Sequence, residues 1–337
     1  MQTRRIGRDG AAVSAIGIGA MSFSDFYGPT DEAASHAILD TSLAHGVTHI
    51  DTSNVYGAGK SENAIGSFLK ARGSDAHDRF HIATKAGILH GAGGAGAGDR
   101  RFDNSRAHLT SELEGSLTRL GIECVDLFYV HRREADRPIE EVAETLAGLV
   151  QAGKARAVGF SEIAPSSLRR AHAVCPVAAV QSEYSLSTRA PELGLVQTCA
   201  ELGTSLVAFS PVGRGLLTDR PPTAEKIRDI PFLTNNPRFV APNLAANLAA
   251  TDRFRRLAAE MGYPAAALAI AWLLSRGSHV IPIPGTRSVR HFEELVAGAA
   301  LELSAAEIAR IEQVLPVGWA HGDRYTESQW AGPERYS

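Results

Sequence analysis

Four residues of this chain carry side chains suited to protonating a carbonyl oxygen: Asp51, Tyr56, Lys85 and His131. Asp51 and Tyr56 lie in the run HIDTSNVYG, Lys85 in HIATKAG, and His131 closes VDLFYVH. If a hydride reaches a carbonyl carbon, negative charge collects on the oxygen and a placed donor must meet it. A free phenol, with a pKa of ~10, is a reluctant acid. A neighbouring ammonium favours the phenolate and lowers that pKa. Lys85 can be that ammonium, Asp51 the carboxylate that keeps it charged and in place, and His131 the imidazole that orients the carbonyl. Proton transfer of this kind contributes roughly 10²–10⁴-fold. Singly, each residue has an ordinary reading: a turn aspartate, a loop tyrosine, a lysine with a solvated head on an apolar stem, a surface histidine beside Arg132 and Arg133. Together they carry weight, because they gather at the ends of three short apolar runs.

Those runs belong to a longer rhythm. IGIGA, VTHIDTS, FHIATKA, VDLFYVH, ARAVGFS, AAVQSEY, SLVAFSP and HVIPIPG read as strands. Helical patterns such as EAASHAILDTSLAH, ENAIGSFLKA, AHLTSELEGSLTRL, IEEVAETLAGLVQA and SSLRRAHAV separate them. Strand–helix alternation implies right-handed βαβ units and a parallel sheet. Eight units predict closure into a (β/α)8 TIM barrel, a single domain over residues 1–337, in which chemistry gathers at the C-terminal strand ends. An N-terminal hairpin is predicted to turn at Asp9-Gly10. The stretch from Leu217 to Asn247, after the seventh strand, reads as a long irregular loop of the kind that binds something. LSAAEIARIEQVL is an additional helix, with a capping box at Ser304 and Glu307 and a staple between Leu303 and Ile308. The polar tail GDRYTESQWAGPERYS is expected to fold back over the barrel mouth.

Composition narrows the classes. A 44% apolar content supports a large core, and a net charge of −3 gives no reason to expect nucleic acid or an anionic membrane as partner. Cys124, Cys175 and Cys199 show no paired spacing, which argues against a disulfide framework or a zinc site and suits a reducing cytoplasm. The start MQTRRIGRDG lacks the apolar segment of a secretory signal. The longest apolar run, AAALAIAWLL, is about half the ~20 residues needed to span a bilayer and reads as a buried helix. Gly91, Gly93 and Gly96 match G-x-G-x-x-G after a strand, but the next helix begins only near Asn104-Ser105. A dinucleotide-binding turn should open a helix at once, so a mobile loop is the better reading.

With HIDTSNVYG, ATKAG, LFYVHR, GKARAVGFSE, VQSEYS, FSPVGRGLL and IPGTRS in place, the chain resembles the aldo-keto reductase superfamily over nearly its whole length. GFSE and GDRYTE are similar to the bacterial and plant branch with pyridoxal-reductase-like and auxin-induced-like members. The resemblance implies a catalytic tetrad of Asp51, Tyr56, Lys85 and His131 and an NADP(H) cofactor extended across the barrel mouth. It implies a carboxamide contact from Ser161 and Gln181, and a nicotinamide ring stacked on Phe209. A pyrophosphate loop of Ser210, Pro211, Val212, Gly213 and Arg214 would follow. Gly285, Arg287 and Ser288 would take the 2′-phosphate, at a helix N-terminus suited to anions. His291 and Glu294 would reach the adenosine. Met21, Phe23, Phe26, Tyr56 and His131 should line the pocket, with Trp319 and Trp330 contributing from the tail. The sequence departs from common family patterns at Glu162, Phe209, Leu295 and Val130. The expected activity is NADPH-dependent reduction of an aldehyde or ketone. Two alternatives remain: a redox-sensing subunit that holds NADPH and turns over slowly, and a barrel enzyme without nicotinamide.

Overall fold

The computed structural model describes residues 1–89 and 100–335. The glycine-rich stretch Gly91–Gly98 therefore lies outside the described residues. An antiparallel hairpin of β1 (Thr3–Arg5) and β2 (Ala12–Ser14) comes first. Its connection is longer than the two-residue turn expected at Asp9-Gly10. Ile6 N–H donates to Ala11 O at 3.0 Å, so residues 7–10 all belong to it. A Cβ on Gly10 would lie 1.9 Å from Ile6 O, which leaves glycine as the residue that fits there.

The eight expected strands all form. They are β3 (Gly17–Gly19), β4 (His49–Asp51), β5 (His81–Ala86), β6 (Val125–Val130), β7 (Ala155–Ser161), β8 (Ala179–Glu183), β9 (Ser205–Phe209) and β10 (Val280–Pro282). Each pairs in parallel with the next, in unbroken chain order. The barrel closes where Gly19 N–H donates to Pro284 O at 2.9 Å. Its interior packs Ala83, Leu127, Tyr129, Ala179, Val207 and Ile281, and Ile6 and Val13 of the hairpin stop its N-terminal end.

Helices fill the outer ring where local sequence favours them. Asp31 caps Glu32–His45 by accepting from Ala34 N–H, and Ser105 caps Arg106–Leu120 by accepting from His108 N–H. Gly46 and Gly121 end these helices in the left-handed conformation. The apolar run forms the helix Ala265–Leu274, every residue of it buried. Among the described residues no single helix is long and apolar enough to cross a membrane. The capping box at Ser304 and Glu307 is present and starts the helix Ala305–Val314.

The segment expected to be irregular after β9 is more ordered than its composition suggests. It contains short helices Ala224–Arg228 and Pro231–Thr234, and the helix Asn243–Glu260 begins within it. Leu216, Ile227, Phe232, Leu233 and Phe239 bury against Tyr325 of the tail, so a small apolar core of its own holds the segment.

Barrel closure depends on a close approach. A Cβ on Gly19 would meet Ile283 O at 2.6 Å, and one on Gly285 would meet Gly19 O at 2.5 Å. Gly19→Ala should therefore cost about 1–3 kcal/mol of stability through overpacking at the seam. Urea unfolding of the variant checks this, and an unchanged midpoint would refute it.

Candidate active site

β4, β5 and β6 are neighbours, so their ends bring Asp51, Lys85 and His131 side by side. The turn after β4 is tied to β5: Thr52 N–H donates to Ala83 O at 2.9 Å and Asn54 N–H to Lys85 O at 3.2 Å. That tether swings Tyr56 over the lysine. Lys85, fully buried, donates through Nζ to Asp51 Oδ1, to Thr52 O at 2.7 Å and to Tyr56 Oη at 3.4 Å. The other Asp51 oxygen accepts from Gln181 Nε2 at 2.7 Å. His131 presents its ring to Tyr56 edge-on, with centroids 5.7 Å apart, and its Nδ1 lies 3.0 Å from Ser53 Oγ. The four residues expected to work together are thus one connected group.

Electrostatics refine the expected division of labour. Burial opposes the Lys85 ammonium, but Asp51 and Tyr56 outweigh it and hold the pKa above that of a free lysine. Burial raises the Asp51 carboxyl, against the pull of Lys85 and Gln181. Tyr56 differs from expectation. Burial lifts its phenol above the ordinary value, with Asp51 adding to that, and Lys85 only offsets part of the rise. The ammonium thus does not make Tyr56 an unusually acidic phenol in the free protein. Burial, followed by the charges of Arg132, Lys85 and Arg100, drives the His131 imidazole well below its usual pKa, so it is neutral.

Tyr56 and His131 open into a cavity of about 1250 Å³ across the C-terminal ends of the strands. Asp51, Met21, Gln181 and Phe209 line it at the tetrad end. Ser210, Pro211, Val212 and Arg214 form one wall, and Gly285, Arg287, Ser288, His291 and Glu294 form the far end. Ser288 caps the helix Val289–Ala297 by accepting from His291 N–H. Phe26 lines the cavity too.

Several expected residues stand elsewhere. Phe23 is buried in the main core. Ser161 faces Arg132, whose Nη1 donates to its hydroxyl at 2.9 Å. Gly213 is buried behind the wall with φ +57°. The Arg214 guanidinium lines the cavity but is paired with Glu183 and stacked over Phe232 and Tyr325. Trp319 donates to Leu186 O at 2.7 Å, and Trp330 stacks against Tyr325 and donates to Asp323, so among the described residues of the tail it is Tyr325 that lines the cavity. Glu162 turns to the tail, where both terminal nitrogens of Arg324 grip it.

Sequence reasoning missed Arg100, Arg132, Arg220, Lys226 and Arg290, all of which line the cavity. It also missed the network around buried Glu183, which Arg214, Arg238 and Arg324 surround. The one sequence signal was an acidic residue closing β8, a place where a solvated side chain is the usual occupant.

Known proteins resemble this chain in sequence and in fold. Residues 15–316 match the aldo/keto reductase family. The chain is 36% identical over 326 residues to an aldo-keto reductase, yakc [NADP(+)], of Schizosaccharomyces pombe, covering 96% of this chain and 94% of the relative. It is also 36% identical to probable aldo-keto reductase 1 of Glycine max, over 96% and 92% of the two chains. Among solved structures, the glycerol dehydrogenase AKR11B4 of Gluconobacter oxydans superposes with a TM-score of 0.81 at 28% identity, over 93% and 94% of the chains. The holo form of aldo-keto reductase AKR11C1 from Bacillus halodurans gives 0.77 at 25% identity, over 98% and 99%.

Two measurements follow from the buried charges. Lys85→Met strands the Asp51 carboxylate and should cost about 3–5 kcal/mol, while adding Asp51→Asn to it should recover most of the loss. Denaturant unfolding of the single and double variants decides, and additive losses would contradict the pairing. Second, His49, His81 and His131 all have pKa values pushed below normal, mainly by burial. As pH falls, the unfolded chain takes up protons at these sites before the folded one does. Their contribution is therefore complete above about pH 6.5 and is lost below it, by up to about 1.4 kcal/mol per pH unit for each imidazole. Urea midpoints on either side of that pH test the sign.

Proposed function

The chain belongs to the aldo/keto reductase family, and from that membership we propose that it reduces an aldehyde or ketone to an alcohol with NADPH, Tyr56 delivering the proton. The observation that carries this reading is the Tyr56 hydroxyl, 3.4 Å from Lys85 Nζ and beside His131, at one end of a long cavity.

The residues present suit the cofactor. The far end of the cavity combines a capped helix N-terminus with Arg287 and Arg290, a donor set for phosphate. Arg287 is exposed and spends one contact on Pro29 O at 2.7 Å, which leaves its other donors for a 2′-phosphate and favours NADPH over NADH. Ser210 and the segment after it would hold the pyrophosphate, and Phe209 and Gln181 the nicotinamide. Bound NADPH would supply the hydride to the carbonyl carbon.

The chain's own residues supply the proton and its control. With its pKa raised, Tyr56 is fully protonated at neutral pH and holds its proton until negative charge develops on the substrate oxygen. Lys85 then acts on the phenolate as it forms, where its charge counts most. His131 can orient the carbonyl only if Nε2 carries the hydrogen. Nδ1 must then accept from Ser53, whose oxygen also lies 3.2 Å from Lys85 O. Ser53 positions the imidazole, but its one hydroxyl hydrogen is shared between Nδ1 and the Lys85 carbonyl, so it does not by itself fix the tautomer. In the oxidative direction Tyr56 is the base.

Tyr56→Phe should reduce turnover by about 10² or more while leaving NADPH affinity nearly unchanged. Fluorescence titration with NADPH and NADH, alongside turnover on aldehydes and ketones, reads both. Equal loss of binding and turnover would count against the role given to Tyr56. Binding with hardly any turnover of the unmodified protein would turn the reading toward a cofactor-holding sensor.

A further inference from the structure

Arg132 follows His131 directly, and nothing in the mechanism above uses its charge. It is only 7% exposed, yet it lines the cavity. Nη1 donates to Ser161 Oγ at 2.9 Å and to His131 O at 2.6 Å. Nη2 reaches Tyr325 Oη at a long 3.5 Å, and Nε has no hydrogen-bond partner. Among the described residues no carboxylate lies within ion-pair distance of Arg132. Glu162 is within electrostatic reach, but its two oxygens are gripped by Arg324. The next residue shows the contrast: Arg133 pairs with Glu334 at 2.5 Å.

Arg100 lines the same cavity and reaches only Gln329 O, at 3.5 Å. It too has no carboxylate partner among the described residues. Burial and then the charge of Arg132 lower its pKa, so the two guanidiniums sense each other. Both also act on His131. Two neighbouring cations in a partly dehydrated wall, with no carboxylate among the described residues at ion-pair distance, are unfavourable until an anion arrives. That anion is not the proposed cofactor phosphate. Arg132 follows β6, whereas Arg287 and Ser288 follow β10, and β6 and β10 stand on opposite sides of the barrel.

We propose that Arg132 and Arg100 form an anion subsite beside Tyr56 and His131, so that the preferred carbonyl substrates carry a carboxylate or phosphate group. This rests on the reductase reading and adds a substrate class to it. Guanidinium nitrogens bind either oxyanion through charge-assisted hydrogen bonds. Such a group would fix the substrate while its carbonyl faces the phenol.

Matched aldehydes test it: 4-carboxybenzaldehyde against methyl 4-formylbenzoate, and glyceraldehyde 3-phosphate against glyceraldehyde, each with NADPH. The charged member of at least one pair should have a kcat/KM higher by about tenfold or more. The pair that shows it distinguishes carboxylate from phosphate. In Arg100→Gln and Arg132→Gln that ratio should collapse toward one, mainly through KM, and Arg132→Lys should keep part of it. The ratio within each protein is insensitive to general damage. Equal or reversed preference in the unmodified protein, or ratios unchanged in both glutamine variants, would overturn the subsite. If no aldehyde turns over, the reductase reading fails, and titration of the NADPH-treated protein with benzoate and inorganic phosphate still decides the subsite. Binding weakened about tenfold in both variants supports it. Absent binding, or binding equal in all proteins, overturns it.

Discussion

A lysine ammonium with no access to water sets the terms for this barrel. Burying such a charge is costly unless an opposite charge and further acceptors surround it. Lys85 has both in Asp51, the Thr52 carbonyl and the Tyr56 hydroxyl. All three come from β4 and the turn after it, so the charge ties β4 to β5 at the point where the strands end. Gln181 reaches across from β8 to the remaining Asp51 oxygen and adds a third strand. The same contacts that make the lysine tolerable place a phenol and a neutral imidazole at the cavity floor. Stability and chemistry here have one origin.

Above this floor lies a second polar layer with a different job. Glu162 and Glu183, at the ends of β7 and β8, are buried and draw arginines from the segment after β9 and from the tail. Several non-glycine residues near these ends hold left-handed backbone, among them Glu162 at φ +58°, Ser210 at +51° and Arg214 at +56°. Such conformations carry strain and persist where surrounding structure over-determines them, commonly at functional sites. Here the over-determination is the ion network. It holds Tyr325 in the cavity wall and ties the cavity-lining Arg214 guanidinium to Glu183.

What could be read in advance follows from what kind of signal each feature leaves. The strands were legible because each is a short apolar run between helical periods, and IGIGA through HVIPIPG map onto β3 to β10. The tetrad was legible because Asp51, Lys85 and His131 interrupt or end such runs. The long segment after β9 was misread because its few buried apolar residues are scattered among prolines and asparagines, and the partner that completes their core, Tyr325, is distant in the chain. Arg132 was given no role because a pair of arginines carries no periodicity to say which is buried. The direction of the Tyr56 shift was missed for a related reason. A charge nearby can be inferred from spacing, but the extent of burial that opposes it cannot.

The strap across the barrel mouth also sets an order of assembly. Glu162 and Arg324 stand 162 residues apart, and Glu334 N–H closes on Glu162 O while its side chain takes Ala164 N–H and Arg133. During synthesis β7 and β8 emerge long before these partners. Glu183 can meet Thr188, Arg214 and Arg238 first, but until the tail is made Glu162 lacks Arg324. Neighbouring strands pair through contacts close in the chain, whereas the ties at Glu162 and the closure of Gly19 on Pro284 both join distant segments, which meet slowly. The tail is therefore the last part of the rim to be made, and its contacts complete the polar layer beside the cavity.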